Sequence, residues 1–202
     1  MNQITTQYVT EGGACFEQYV ITDPVAKTAL TITPERGGMV TGFTLDGDEY
    51  IWTRRPNFSE CNRPRLRHPC AVPQLAASPT NGVHIFNGQA YPMEIHGMAD
   101  LCPWEVESVG PDGVTLILES SPLTKFLYPF DFTVLMNYNL QGNTASLSMT
   151  VINEGDIPMP SALVIIPTLW PLLWRMWTLT SSAPPAPRMP RASSLLHPRR
   201  SP

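Results

Sequence analysis

The chain contains four cysteines, whose thiols could ligate a metal or form disulfides. No two of them have CxxC spacing, which does not favour a metal site. A disulfide framework is not expected in a chain of 202 residues. We therefore expect reduced thiols and a cytoplasmic protein. The cysteines are Cys15, Cys61, Cys70 and Cys102.

Four polar side chains in or beside loops could instead bind a ligand through hydrogen bonds. Each also has a plain structural interpretation. His96 precedes a glycine between two strands, and Arg65 lies in an arginine-rich stretch. Asn81 belongs to a Thr-Asn-Gly sequence, which is ordinary turn chemistry, and Asp100 suits a turn as well. Residue type alone leaves both interpretations open for each of the four.

The elements that must position these side chains are predicted to be strands. From Phe130 to Leu140 apolar residues alternate with polar ones, with Leu135 as the exception. The alternation resumes over 145–151 after a turn at 141–143. A period of two is typical of a strand buried on one face, so this region predicts a β-hairpin.

Three earlier turn motifs predict further hairpins. Asp46-Gly47-Asp48 would join strands at 40–45 and 50–53, and Asn87-Gly88 would join 84–86 to 89–93. Residues 111–113 (PDG) would join 104–109 to 114–119. We find no convincing helix and no repeat. The pattern predicts an all-β fold, an antiparallel β-sandwich or barrel.

Charge divides the chain near residue 157. Residues 1–156 hold 8 basic and 17 acidic residues, a net charge of −9, and residues 157–202 hold five arginines, which gives the total of −4. An acidic body argues against nucleic acid as a partner. The start of the chain does not resemble a signal peptide. The apolar run 162–174 is interrupted by Pro167 and Pro171 and falls short of the roughly 20 residues that a membrane span needs, so no membrane partner is expected.

Several motifs occur together in a defined order. They are PERGGMV (34–40), an arginine-rich segment ending at Arg65, Asn87-Gly88, HGMADLCPW (96–104), YPFDF (128–132) and NEGDIPMP (153–160). This ordered set resembles the aldose 1-epimerase (mutarotase) family, including its hexose-6-phosphate epimerase branch. The resemblance covers roughly residues 15–160. It implies a galactose mutarotase-like supersandwich, an antiparallel β-sandwich whose C-terminal part is missing here.

The resemblance also implies a reaction. Mutarotation opens a hexose ring at C1 and recloses it on the other face, so one group protonates the ring oxygen while another removes the C1 hydroxyl proton. In the family the acid is a His within an HPYF motif and the base is a later Glu. The family's sugar-holding His and Arg correspond to His96 and Arg65, and Asn81 would line the cleft. The implied partner is a hexose or hexose phosphate, with no metal and no cofactor.

Asp100 departs from the family pattern in a way that bears on the substrate. The family's HGfaR motif places an Arg there, which suits a bidentate contact with phosphate. A carboxylate would repel a sugar phosphate. The departure therefore favours a neutral aldose.

The family pattern breaks after Met159-Pro160, where residues 161–171 read SALVIIPTLWP. Codons for the family-like sequence FSAGYHPYFVA encode SALVIIPTLWP once a single T near their start is lost. We interpret the break as a one-base shift of the reading frame. Ile166 then stands at the position of the acid His, and the later Glu is absent.

A second break covers residues 66–77. LRHPCAVPQ (66–74) stands where the family has GGIPvLFPN, and codons for it encode CGIPALFP when read one base later. The frame would be restored near Ala76, because residues 78–82 suit the family again. Two insertions or deletions would thus bracket one scrambled strand.

These observations predict two parts of the chain. Residues 1–160 would form the N-terminal part of a mutarotase-like sandwich, and residues 161–202 would be a disordered tail. We expect an inactive chain that is monomeric or prone to aggregation, because half a sandwich leaves open edges and apolar surface. The alternative is a non-catalytic carbohydrate-binding β-sandwich in which the unusual segments are adaptations.

Overall fold

The first sheet contains five antiparallel strands that follow one another in chain order. The computed structural model describes residues 1–11, 13–51, 82–93, 97–111 and 113–161. Alternation places Ile21, Leu30 and Ile32 on the buried apolar face of this sheet. The strands are β1 (Gln3–Glu11), β2 (Ala14–Asp23), β3 (Thr28–Thr33), β4 (Met39–Leu45) and β5 (Asp48–Glu49).

A second antiparallel sheet contains four strands in the order β11-β10-β9-β8. Every second residue of β10 from Phe132 to Leu140 is buried, which confirms the predicted period of two. Leu135, the exception in the pattern, is only half-buried. The strands are β8 (Glu105–Val109), β9 (Gly113–Glu119), β10 (Phe132–Gln141) and β11 (Thr144–Asn153).

The Asn87-Gly88 hairpin is also confirmed. It joins β6 (Val83–Phe86) to β7 (Gln89–Pro92). Asn87 has φ of 49° and Gly88 has φ of 77°. Two successive positive φ angles give the turn whose twist matches that of the paired strands, and Asn-Gly is the sequence that best tolerates them.

The strand predicted over 50–53 begins earlier than expected. Pairing with β4 starts at Asp48, directly after the Asp46-Gly47 turn. Glu49 then accepts hydrogen bonds at Oε1 from the backbone N–H groups of Phe43 (2.9 Å) and Ile51 (2.8 Å). The charged turn sequence therefore continues into the strand, which a purely apolar pattern could not indicate.

The expectation that the chain has no helix was wrong. Residues Pro122–Leu127 form a short helix, α1. Ser121 caps it by accepting a hydrogen bond at Oγ from the Thr124 N–H (3.2 Å), and Pro122 occupies the first turn. The signal was therefore a serine followed by a proline, but six residues are too few for a visible helical period.

One hydrophobic core joins the two sheets, which confirms the predicted antiparallel sandwich. Phe43 and Ile21 contribute from the first sheet, and Leu116, Phe132 and Met136 from the second. In the described part of the chain, no helix is long and apolar enough to cross a membrane. The proposed tail, 161–202, lies outside the described residues apart from Ser161, as does the suspect patch 66–77.

Asp23 ties the two sheets together at one end. Its Oδ1 accepts hydrogen bonds from the N–H groups of Val25 (2.9 Å) and Ala26 (3.0 Å), and its Oδ2 accepts one from Gly142 in the β10–β11 turn (3.1 Å). These hydrogen bonds lower the pKa of Asp23, and the bond from Ala26 has the largest effect. Burial acts in the opposite direction, but its effect on the pKa is smaller.

Replacing Asp23 with asparagine should therefore destabilise the protein in a pH-dependent way. Because the folded-state pKa is lowered, the stabilisation is present above the ordinary value of 3.8 and is lost as the pH falls through the folded pKa. The Tm of Asp23→Asn should lie below that of the parent at neutral pH, and the two should converge in acid. Asp48→Asn, in exposed β5, is the control. A Tm difference that does not change between neutral and acidic pH would contradict the prediction.

Candidate functional site

The Pro34–Gly38 turn joins β3 to β4 and carries the first of the family-like motifs. Pro34–Arg36 form a single 3-10 turn, and the Gly38 N–H donates to the Pro34 carbonyl (3.1 Å). Gly37 and Gly38 both have φ of 69°. L-residues rarely adopt this left-handed conformation, so the pair of glycines is what allows the chain to turn here.

The Gly97–Trp104 segment carries the second motif and leads into β8. Met98 and Ala99 are completely buried, and the Leu101 N–H donates to the Met98 carbonyl (3.0 Å). Trp104 is 3% exposed, and its Nε1 donates to the Ala99 carbonyl (2.9 Å). The indole therefore belongs to the core, and it also holds the preceding turn.

The turn and the segment are in direct contact. A Cβ added to Gly37 would lie 2.6 Å from both the Cα and the carbonyl oxygen of Asp100. The backbone N–H of Trp104 donates to the Pro34 carbonyl (3.1 Å), and the Tyr138 hydroxyl donates to the Gly38 carbonyl. The fold thus brings Gly37 and Asp100, 63 positions apart in the sequence, into backbone contact.

A polar network centred on the buried side chain of Gln18 holds both ends of the same turn. The Gln18 side-chain amide donates to the hydroxyl oxygens of Thr33 (2.9 Å) and Thr41 (3.1 Å), which themselves lie 3.2 Å apart. Gln7 donates to the Gln18 amide oxygen (2.9 Å). Thr33 immediately precedes the turn and Thr41 follows it in β4. The network therefore joins β1, β2, β3 and β4 at the point where the turn leaves the sheet.

Arg36, within the turn, is a residue that sequence reasoning missed. It is only 7% exposed, and its guanidinium carbon lies 5.9 Å from the centre of the Phe16 ring. This geometry allows a cation–π contact. The available signal was its place inside a motif that resembles the family, since an arginine in a loop is otherwise expected to be solvated.

Of the predicted site residues, Asp100 is the one that the described structure places. It is half-buried, and its Oδ1 atom is shielded from solvent. His96, Arg65, Asn81 and Ile166 lie outside the described residues, so their predicted roles stay predictions.

Asp100 and burial both affect the neighbouring thiol. Burial raises the pKa of Cys102, and the negative charge of Asp100 raises it further. Cys102 is half-buried and Cys15 is exposed, and both are free thiols. His84 lies in β6 opposite Tyr91.

Comparisons with known proteins identify the fold and the family. The sequence model of the family described as aldose 1-epimerase matches residues 17–163. Three solved structures show the same fold. A protein from Synechocystis sp. PCC 6803 is 25% identical, with a TM-score of 0.65, 81% of this chain covered and 56% of that chain.

The other two structures are more distant in sequence. A galactose mutarotase-like protein from Lactobacillus casei ATCC 334 is 21% identical, with a TM-score of 0.58, 79% of this chain covered and 48% of that chain. A galactose 1-epimerase from Lactobacillus acidophilus NCFM is 15% identical, with a TM-score of 0.54, 75% of this chain covered and 49% of that chain.

This chain spans about half the length of the solved structures that it matches. A search of the curated proteins gave no match. The family model nevertheless covers most of the chain, and the sandwich agrees with it. The chain belongs to the aldose 1-epimerase family.

Proposed function

We propose that the gene encodes an aldose 1-epimerase that interconverts the α and β anomers of a hexose, and that the chain as written has lost this turnover. The family match over residues 17–163 carries the proposal. The retained part includes the Pro34–Gly38 turn and the Gly97–Trp104 segment, which lie against each other in the structure.

The proposed loss of turnover follows from the chemistry. Ring opening requires an acid at the ring oxygen and a base at the C1 hydroxyl, and positioned groups of this kind typically contribute 10²–10⁴-fold to a rate. Ile166 stands at the position of the acid and cannot transfer a proton. The family match ends at residue 163, three residues after Pro160, which supports a shift of the reading frame there.

Asp100 supports a neutral hexose over a hexose phosphate as the ligand. Its carboxylate is half-buried, so water screens it less than it would a fully exposed side chain. A phosphate group nearby would be repelled by this charge. We therefore propose free glucose or galactose as the ligand to be tested first.

The setting that we propose is the cytoplasm, for a chain that is monomeric or prone to aggregation and has no nucleic-acid partner. The spacing of the four cysteines, which favours reduced thiols, supports a reducing compartment. The acidic body of the chain supports the absence of a nucleic-acid partner.

Polarimetry tests the proposed loss of turnover. The purified chain should relax α-glucose and α-galactose to the anomeric equilibrium no faster than buffer does, because the proton-transfer pair is incomplete. A galactose 1-epimerase assayed in parallel serves as the positive control. Catalysed relaxation well above buffer would refute the loss of turnover. Binding of either sugar without turnover, measured by calorimetry, would favour the carbohydrate-binding alternative.

A further inference from the structure

We propose that Gly37 is a positioning residue, whose missing side chain sets the place of the Asp100 backbone and therefore of the Asp100 carboxylate in the sugar cleft. The proposal deepens the proposed function, because the place of Asp100 in the cleft comes from it. It assigns to the Pro34–Gly38 turn the task of selecting between neutral and phosphorylated hexoses.

The first support is steric. A Cβ on Gly37 would lie 2.6 Å from the Asp100 Cα, 2.6 Å from its carbonyl oxygen and 2.9 Å from its carbonyl carbon. All three atoms are backbone, so rotation of a side chain cannot relieve the overlap. Any residue other than glycine would therefore have to move either the turn or Asp100.

The second support is that the turn is the less movable of the two. The Tyr138 hydroxyl, from the centre of the second sheet, holds the Gly38 carbonyl. The Gln18 amide holds the hydroxyls of Thr33 and Thr41 on either side. A turn anchored at both ends transmits an overlap to its neighbour.

The third support concerns what a shift of Asp100 would change. Ala99 is completely buried and its carbonyl accepts the Trp104 indole N–H, so the segment is constrained just before Asp100. The Leu101 N–H, just after it, closes a turn onto Met98. A displaced Asp100 would therefore strain the turn from Met98 to Leu101. It would also reorient its own carboxylate, whose Oδ1 is shielded from solvent in the structure.

The experiment compares Gly37→Ala with Gly142→Ala. Gly142 also has positive φ, 58° against 69°, but a Cβ there meets nothing within 4 Å. Both variants carry the cost of a left-handed alanine, and only the first presses on Asp100. Two quantities are measured: the exchange rate of the Leu101 amide, and the ratio of the Kd values for glucose and glucose 6-phosphate.

In Gly37→Ala we expect Leu101 exchange to be at least tenfold faster and the ratio of Kd values to change at least fivefold. Gly142→Ala should leave both within twofold of the parent. General destabilisation weakens both ligands equally, so the ratio separates positioning from folding. Equal behaviour of the two variants would overturn the proposal.

Failure of the proposed function has a different signature. If the parent chain binds neither sugar, the proposed sugar site is wrong. Leu101 exchange, taken relative to that of a buried β10 amide so that general destabilisation cancels, then decides whether Gly37 positions Asp100. A change of Leu101 exchange confined to Gly37→Ala supports positioning even then. An unchanged exchange rate overturns it.

A second variant covers the case in which Gly37→Ala does not fold. Tyr138→Phe removes the hydroxyl that holds the Gly38 carbonyl and keeps the buried ring. Tyr8→Phe, at a side chain that is 68% exposed, is its control. Faster Leu101 exchange in Tyr138→Phe but not in Tyr8→Phe supports the proposal, and equal rates overturn it.

Discussion

Replacing Phe132 with alanine is expected to lower the free energy of unfolding by about 3–5 kcal/mol. Phe132 begins β10 and is 1% exposed. Its ring lies 5.9 Å from the ring of Tyr128, centre to centre, and it belongs to the core that joins both sheets. Alanine would remove this buried surface and leave a cavity among backbone-constrained neighbours. Chemical denaturation followed by tryptophan fluorescence measures the change.

The matched control is the same substitution at Phe126. This side chain, in α1, is 69% exposed. Its truncation removes little buried surface and opens no cavity, so the expected change in the free energy of unfolding is within about 0.5 kcal/mol. Similar losses in Phe132→Ala and Phe126→Ala would mean that the described core does not carry the stability of the fold. Since whole domains are stable by only about 5–15 kcal/mol, Phe132→Ala could unfold the chain outright, which also agrees with the prediction.

The strands of this fold were predictable because their signals are local. Alternation across Phe130–Leu140 and the turns at 87–88 and 111–113 each lie within a few residues, and each hairpin formed as predicted. Helix α1 was missed because its signal is also local but shorter than two helical turns. The early start of β5 was missed because its two residues, Asp48 and Glu49, are both acidic and exposed.

The candidate site was only partly predictable, because its geometry depends on contacts between distant residues. The sequence marked Asp100 through its place in a motif, but not its contact with Gly37. The sequence around Gly37 and Gly38 does not indicate which distant part of the backbone packs against them. The Tyr138 hydroxyl reaches Gly38 across 100 positions of the chain, and Tyr138 was predicted simply as one apolar residue of an alternating strand. Only the three-dimensional pairing of the sheets shows why these residues belong together.

The largest expected change in activity comes from restoring the reading frame. Resequencing the DNA across codons 60–80 and 155–175 should reveal the extra or missing bases, and the corrected frame should read through GGIPxLFPN and HPYF. The corrected protein would then carry a histidine at position 166 in place of Ile166. It would also continue into a different C-terminal region, in which the base Glu is to be sought.

This corrected protein should catalyse mutarotation about 10²–10⁴-fold faster than the chain as written, which is the range that a positioned acid or base contributes. Polarimetry with glucose and galactose measures the rate. The control is the corrected protein with that histidine replaced by asparagine, which should lose most of the gain while keeping its Tm. DNA that encodes the chain as written would place the lesions in the gene itself. In that case the segments after Pro160 and around residues 66–77 are part of the expressed protein, and sugar binding without turnover becomes the activity to measure.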